Sequence, residues 1–445
     1  MTKHNYINRR QFISRTAGAA LGAIGLPYIV PSSVLGQGGG TAPSNRITIG
    51  SIGVGMQGAP NMEQFLRERD TRVVAVCDVD KNLLGEAVRS VNGYYGNNDC
   101  AAYSDFRELL AREDIDAVVI SVPDHWHAVI AIEAAKSGKD IYAEKPLSHT
   151  LKEGRAMCDA VKRYARIWQT GSWQRSVNSF RFASELVLNG RIGKVDTVEI
   201  VLPSGHIDFS EYIQKTQFQA PPPELDYDFW LGPAPYSPYC QARVHRNWRW
   251  YLDFGGGQLL DWIGHHADIA HWSLGLDYSG PVEIEGSGDF PRSGVWNSPT
   301  DFDITEKYAE GLTMMITSRK QYPLGDDWGA RTGIKWMGQN GWICVTRGGM
   351  DASPKSLLNE VIGPNEIHLF RSPGHHRNFL DCVKSRQQTV TPCEIAQRSA
   401  TPGHLGQIAM LTGHKIRFNP KTEEIIDDPT ASRLLGNSFR SPWYL

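Results

Sequence analysis

The first 62 residues contain neither Asp nor Glu. Cysteine is sparse and odd in number, seven in 445 residues, and no C-x-x-C occurs. A disulfide framework and a four-cysteine zinc site are thereby excluded, although an isolated pair could still form in an oxidising compartment. Net charge is almost absent, at −2, and no basic stripe interleaved with aromatics stands out. Nothing therefore draws the chain to nucleic acid. No internal repeat is present, which excludes a solenoid. What remains is a soluble globular composition, 41% hydrophobic and 21% charged, on a chain too long for one ordinary core. Two domains are expected.

The acid-free stretch holds Lys3, Arg9, Arg10 and Arg15, then an apolar run over 17–30. That run is too short and too Gly-rich for a membrane span and suits the core of an export signal. Arg9-Arg10-Gln11-Phe12-Ile13 resembles the twin-arginine signal, with Asn8 in place of the usual Ser or Thr and Ser14 in place of Lys. Residues 1–44 are expected to be signal and linker, addressing the protein to the periplasm. No clean A-x-A site precedes the linker, so an uncleaved N-terminal membrane tether is an alternative.

Residues 46–52 form an apolar run leading into Gly53-Val54-Gly55-Met56-Gln57-Gly58. A helical pattern follows over 61–68, then an apolar run over 73–77 ending in Asp78. Strand, G-x-G-x-x-G, helix, strand and acid in this order specify a dinucleotide-binding unit. Gly53 permits the turn, Gly55 lets the backbone approach a pyrophosphate, and Gly58 lets the helix pack on the strand. Met56 and Gln57 complete the turn, and the helix N-terminus offers free N–H groups to phosphates. Asp78 accepts from ribose hydroxyls and repels a 2′-phosphate, so NAD is expected rather than NADP, a preference that Lys81 softens. Strands at 116–121, 140–143 and 167–170 alternate with helices at 128–137 and 152–164. A parallel sheet wound on both faces results.

Ligands in such sheets bind beyond the strand ends. Two of those ends carry Pro123-Asp124-His125-Trp126-His127 and Glu144-Lys145-Pro146. Further on, Gly255-Gly256-Gly257-Gln258-Leu259-Leu260-Asp261 runs into Trp262-Ile263-Gly264-His265, placing Asp261 and His265 four apart on one helix face. From about Arg46 to the C-terminus, these motifs resemble the glucose–fructose oxidoreductase / inositol dehydrogenase / MocA (Gfo/Idh/MocA) family. The resemblance implies that Lys145 lies beside the nicotinamide and the reacting hydroxyl, with Pro123, Asp124, His127 and Glu144 around the cofactor. It also implies that Asp261 and His265 face the same ring from the second domain. His265 is the expected general acid/base because an unperturbed imidazole titrates near neutrality, with Asp261 orienting it or touching a substrate hydroxyl. No metal is expected, although His265, Asp261 and His127 could in principle make a site.

The overall expectation is α/β: an N-terminal Rossmann parallel sheet over 45–170, and a C-terminal α+β domain over 171–370 on a mainly antiparallel open-faced sheet. Helices and a tail over 371–445 would pack back on the body. Strand-like runs at 195–201, 282–286, 304–309, 312–317 and 342–346 carry the second sheet. Its open face implies, by resemblance, a homo-oligomer. A Pro- and Trp-rich insertion over 221–250 leads into the Asp261 helix, and Arg175, His245 and Arg249 are nominated as substrate contacts.

The expected function is hydride transfer to or from a secondary alcohol of a sugar, glycoside or cyclitol, taken as the C3 hydroxyl. An exported enzyme has no maintained pool of free NAD, so the cofactor is expected to be tightly held and recycled in place. The alternative is a redox-neutral glycoside hydrolase or epimerase working through a 3-keto intermediate, for which a base near C2 is still to be found. A non-catalytic sugar-binding protein is the third reading, and retention of Lys145, Asp261 and His265 argues against it.

Overall fold

A computed structural model describes Ala42 and residues 45–445 apart from 208–213, 310 and 325–327. The expected export signal lies outside the described residues.

The first sheet is six-stranded and wholly parallel, in the order β3-β2-β1-β4-β5-β6. Its strands are β1 (Ile47–Ile52), β2 (Thr71–Cys77), β3 (Ala101–Tyr103), β4 (Ala117–Ile120), β5 (Asp140–Ala143) and β6 (Trp168–Thr170). The helices between them are α1 (Gly58–Arg67), α2 (Lys81–Tyr95), α3 (Phe106–Leu110), α4 (Asp124–Lys136) and α5 (Leu151–Arg163). β1, β4 and β5 are buried without alternation because helices cover both faces of the sheet. The register aligns Ile52 with Ile120, Ile120 with Ala143, and Ala143 with Thr170. The turns after these strands, at 53–57, 121–123, 144–147 and 171–172, therefore emerge side by side. That row of turns is where the chemistry-bearing motifs sit.

The second sheet has nine strands, in the order β13-β12-β11-β7-β10-β9-β8-β14-β15. They are β7 (Val195–Val201), β8 (Glu283–Asp289), β9 (Asp301–Lys307), β10 (Thr313–Thr317), β11 (Gly333–Gly338), β12 (Gly341–Thr346), β13 (Gly349–Ser353), β14 (Ile416–Asn419) and β15 (Glu424–Ile425). Only β7 and β10 pair in parallel; the other pairs are antiparallel. Period-2 alternation sends Val198, Ile200, Met314, Ile316, Ile334, Trp336, Ile343 and Val345 to one face, where all are fully buried. Thr197, Met315, Lys335 and Trp342 take the other face and stay half-buried. The buried face carries α6 (Asn178–Leu188), α8 (Gly257–Leu274) and α10 (Cys393–Thr412), whose Phe180, Leu259, Ile263, Leu405 and Ile408 share its core. One open face and one helix-covered face are as expected.

The C-terminal stretch divides between the two cores. α9 (His375–Ser385) sends Phe379 and Leu380 into the first domain beside Phe65 and Tyr142. β14 and β15 extend the edge of the second sheet. The insertion, with α7 (Tyr227–Leu231) at its centre, builds an aromatic core of its own from Tyr227, Trp230, Tyr239, Trp250, Tyr251, Phe254 and Trp296. With Trp248, that cluster holds four of the 13 tryptophans by packing alone.

Histidine is concentrated inside. Burial lowers the imidazoles of His125, His375 and His404 to about 3, and those of His149 and His271 to about 4. Each is neutral when folded and takes up a proton on unfolding below its ordinary value near 6.5, so stability is lost as pH falls through that value. Glu153 and Glu306, raised by burial to about 8, act in the opposite sense: their contribution is lost as pH rises from the ordinary Glu value towards 8. At pH 5.5 the histidines outnumber them. The urea midpoint is therefore expected to drop continuously between pH 6.5 and 5; a flat midpoint across that interval contradicts the buried neutral imidazoles.

Candidate active site

Gly53 closes the turn after β1 with φ +77°, and a Cβ there would sit 2.4 Å from the Ser121 carbonyl oxygen. A Cβ at Gly58 would stand 1.9 Å from the Gly53 oxygen, so only glycine lets α1 start this close to the strand. Gly55 faces open space apart from Leu83. The first turn of α1 carries no acidic side chain, so its dipole favours anionic oxygens; Ala59 N already donates to the Gly55 oxygen at 2.8 Å and Pro60 has no N–H. Asp78 Oδ2 accepts from Val54 N at 2.9 Å and Oδ1 from Asp80 N at 2.9 Å, which draws the end of β2 onto the turn. Burial raises the Asp78 carboxyl to about 6. A cavity of about 390 Å³ opens over these groups and is lined by Gly53, Gly55, Met56, Gln57, Asp78 and Asp80 on the first domain. Pro123, Asp124, Glu144 and Lys145 line it at the adjoining strand ends. The glycine cradle, the helix N-terminus and the carboxylate at the end of β2 fit a dinucleotide.

Lys145 and Asp261 meet although 116 residues separate them in sequence. Lys145 Nζ donates to Asp261 Oδ1 at 2.7 Å and to the Asp261 carbonyl oxygen at 2.9 Å. α8 runs close to the turn after β5: a Cβ on Gly264 would lie 3.9 Å from Lys145 Cβ, an ordinary packing contact. Arg249 Nε donates to the same Asp261 oxygen at 3.2 Å, its guanidinium stacked on Trp248. Burial pushes the Asp261 carboxyl up, but Lys145 and Arg249 together outweigh it and hold the group at about 2. Asp261 is thus an ionised carboxylate between two cations, and it makes no hydrogen bond to His265. Its expected role of orienting the imidazole is corrected: helix spacing puts the pair on one face, but the stronger partner lies across the domain interface.

His265 is buried, with edge contacts to Trp173 and Trp262. Nδ1 is buried without a partner, which leaves Nε2 as the ring atom able to exchange a proton. Burial, aided by the Arg347 and Lys145 charges, moves its titration well below the ordinary histidine value. An unperturbed imidazole was the sequence expectation; the ring is instead firmly neutral at pH 7.

Other expected residues take supporting places. Glu144 accepts from Asn61 Nδ2 at 2.8 Å and Gln57 Nε2 at 3.3 Å, and burial raises it despite the nearby Lys145. Gly171 gives its carboxylate room, since a Cβ there would meet Glu144 Oε1 at 2.8 Å and force it to shift. His127 does not line the cavity. Its Nδ1 lies 2.8 Å from the Pro146 oxygen and its Nε2 2.9 Å from the Val122 oxygen; burial keeps the ring neutral, so its single N–H ties it to one of these two strand-end turns. Asp124 does line it; burial pushes its carboxyl well above the carboxylate range against the opposing Arg249 charge. His245 lines it too, with φ +55°. Arg175 is not brought there: it is 2% exposed and pairs with Asp268 Oδ2 at 2.8 Å and Asp277 Oδ1 at 2.7 Å. Its expected substrate contact is replaced by a buried ion pair. His266 and His271 are fully enclosed, the latter on the Tyr308 hydroxyl at 2.8 Å. Among the described residues, no group of three or more metal-ligating side chains converges.

Residues the sequence did not nominate close the cavity: Asp80, Leu83, Phe106, Trp126, Leu225, Phe229 and Trp230. The insertion lies across it as a strap. It bridges to the end of β2 through Asp80 and Leu225, with Lys81 N donating to Glu224 O and Asp226 N to Val79 O. His125 Nε2 and Trp126 Nε1 converge on the Trp230 carbonyl oxygen at 3.1 and 2.9 Å. From outside, Trp443 packs on Trp126 and Phe229, while Arg440 pairs with Asp228 at 2.6 Å. The density of tryptophan in the insertion was the available signal, but the pairing partners are tertiary.

The comparisons agree with this architecture. Residues 47–172 match an oxidoreductase family described by its NAD-binding Rossmann fold, and 172–324 with 364–445 match that family's C-terminal alpha/beta domain. The chain belongs to the Gfo/Idh/MocA oxidoreductase family. It is similar to a "Glycosyl hydrolase family 109 protein" of Shewanella baltica, at 34% identity over 178 residues, 36% of this chain and 38% of that one. It is equally similar, over the same shares, to an "Alpha-N-acetylgalactosaminidase" of Shewanella oneidensis. The chain thus matches well under half the length of these relatives. Among solved structures, myo-inositol 2-dehydrogenase from Lactobacillus plantarum superposes with a TM-score of 0.59 at 17% identity, covering 84% of this chain and 100% of that one. The WlbA dehydrogenase from Bordetella pertussis, in complex with NADH and UDP-GlcNAcA, gives 0.61 at 17%, covering 84% and 99%. These likenesses establish the fold.

Trp443→Ala removes the outer support of the strap and is expected to cost on the order of 2 kcal/mol, less than a fully buried tryptophan. The sharper readout is limited proteolysis: cleavage within 221–250 should accelerate at least several-fold, and unchanged cleavage contradicts the clamp.

Proposed function

We propose that this chain is a nicotinamide-dependent oxidoreductase that moves a hydride to or from a secondary ring hydroxyl of a sugar, glycoside or cyclitol, with C3 as the assigned position. The observation that carries the reading is the Lys145–Asp261 pair beside the glycine-cradled cavity. When bound, the cofactor supplies the hydride acceptor or donor. Gly53, Gly55 and the α1 N-terminus would hold its phosphates, and Asp78 its ribose. Carboxylates at both Asp78 and Asp80 favour NAD over NADP.

Lys145 spends two of its three N–H donors on Asp261, leaving the third for the reacting oxygen. Its ammonium stabilises negative charge there as the alcohol loses its proton. Asp261, ionised between Lys145 and Arg249, keeps both cations in place. His265 Nε2 takes the hydroxyl proton and returns it in the reverse direction. His245 and Arg249 border the site from the strap as substrate contacts. The strap over the nucleotide cleft supports tight retention and recycling of the cofactor in place. Export by the twin-arginine route to the periplasm, with a tether if uncleaved, rests on the acid-free leader. Homo-oligomer formation through the open sheet face rests on half-buried Met315 and on Trp342, whose ring lies 4.1 Å from Lys335 Nζ.

Acid denaturation of the purified full chain is expected to release close to one equivalent of NAD(H). Lys145→Ala should keep that cofactor and lose about 100-fold or more in turnover. Intact turnover in this variant removes Lys145 from the chemistry, and a chain without NAD(H) or NADP(H) that gains no activity on adding either sinks the whole reading.

A second reading, redox-neutral glycoside cleavage, is favoured by one observation: Asp124 supplies a buried carboxyl in the cavity that also holds Lys145. Oxidation at C3 acidifies the C2 proton. Asp124 in its ionised form removes that proton as the C1 aglycone leaves, water adds at C1, C2 is reprotonated, and C3 is reduced again. One water is consumed and no net redox change occurs. The names of the Shewanella relatives point the same way. With p-nitrophenyl α-N-acetylgalactosaminide as probe, nitrophenol release without an added electron acceptor supports this reading. Asp124→Asn should abolish exchange of the C2 proton in D₂O while absorbance at 340 nm still reports hydride transfer. Persistent exchange assigns the base elsewhere.

A further inference from the structure

The seven cysteines include one pair that the fold brings together. Cys158 lies on α5 and Cys393 opens α10, 235 residues away, yet their sulfurs stand 3.2 Å apart. Both are buried and both are free thiols. Their approach is held by contacts on either side. Arg155, one turn before Cys158, donates Nη1 to Glu394 Oε2 at 2.6 Å and Nη2 to Glu394 Oε1 at 2.9 Å. The same guanidinium donates Nε to Glu423 Oε2 at 2.9 Å. Gln397 Nε2 donates to the Leu151 carbonyl oxygen at 3.0 Å. The two helices are thereby pinned in register with the sulfurs facing, and bond formation at about 2.0 Å requires only a small further approach.

We propose that Cys158 and Cys393 are a disulfide site, closed by thiol–disulfide exchange with an external disulfide. Two cysteine thiols and one external disulfide yield one intramolecular S–S bond and two external thiols. The cysteine sulfurs lose two electrons, the external sulfurs gain them, and both protons end on the released thiols. A cavity of about 710 Å³ is lined by Cys158, Cys393, Arg155 and Asp159, so a small reagent can reach the sulfurs. The Arg155 guanidinium beside them favours the attacking thiolate, while burial disfavours it by pushing the Cys393 thiol up. Exchange is therefore slow in both directions.

The position gives the bond a consequence. α5 follows the turn that presents Lys145, and α10 lies against α8, where a Cβ on Gly403 would come within 2.7 Å of Ile263. The bond ties together the two helices behind the Lys145–Asp261 contact. It does so whatever reaction the site performs.

The full chain is unfolded and refolded in oxidised and reduced glutathione, and its thiols are counted after denaturation. Seven free thiols should fall to five in oxidising buffer, with one linked peptide pair carrying Cys158 and Cys393. The oxidised form should melt higher, by on the order of 5 °C. A Cys158→Ser/Cys393→Ser variant should count five thiols in both buffers and melt at one temperature. Peptide mapping of the unaltered chain decides the matter even if that variant fails to fold. Seven thiols in oxidising buffer, a different linked pair, or glutathione retained on either sulfur overturns the proposal.

Discussion

The contact between Lys145 and Asp261 constrains the rest of the molecule. Each side chain is mostly withdrawn from water, at 15% and 18% exposure, so each needs the other's charge. One partner hangs from the end of a parallel strand and the other from a helix of the second domain. The first domain offers Lys145 no carboxylate of its own at this point, whereas Asp261 has Arg249 as a second cation from its own domain. Arg249 extends the dependence to the strap, because its guanidinium meets the same carboxylate. Domain docking, strap position and the geometry around the reacting atoms are consequently set by one cluster of three side chains.

The same cluster sorts the acidic groups around it. Asp261, with two cations against it, stays ionised. Asp124 and Glu144, more deeply buried and without a direct ion pair, are pushed towards the neutral form. Neighbouring carboxyls are thereby given opposite protonation preferences by burial and partner charge, the arrangement that allows one group to act as a fixed anion and another to carry protons. His265 belongs to this sorting as well, since the nearby Lys145 and Arg347 charges reinforce burial in keeping it neutral.

Local features were legible in the sequence and partnerships were not. The Gly53–Gly58 turn could be read because a tight turn, a close helix and an acid at the next strand end leave their marks within some thirty residues. β7 matched its expected span, because period-2 alternation survives wherever one face is buried. β11, β13, β14 and β15 were missed: β14 and β15 are only four and two residues long, and glycines at the ends of β11 and at the start of β13 leave short apolar runs between them. Helix spacing put Asp261 and His265 on one face but could not show that Lys145, 116 positions earlier, would claim the carboxylate. Arg175 illustrates the same limit. An arginine after a strand end looks available until Asp268 and Asp277 arrive from the far side of the fold. His127 carried a family expectation of cofactor contact, yet both its ring nitrogens are directed at backbone carbonyls.

The strap joins the two ends of the proposed reaction. Its start is paired to the end of β2 through Asp80 and Leu225, and its end delivers Arg249 to the Asp261 carboxylate. Lifting it to exchange a cofactor would expose the aromatic cluster around Trp230 and pull a cation away from Asp261. On the proposed reading, cofactor exchange and catalytic competence are therefore opposed in energy. An enzyme that released its reduced cofactor after each oxidation would have to pay that cost in every cycle. One that returns the hydride within the closed site meets it only once, when the cofactor is first loaded. The strap thus favours a closed redox cycle, whether the hydride returns to a second carbonyl compound or to the same sugar.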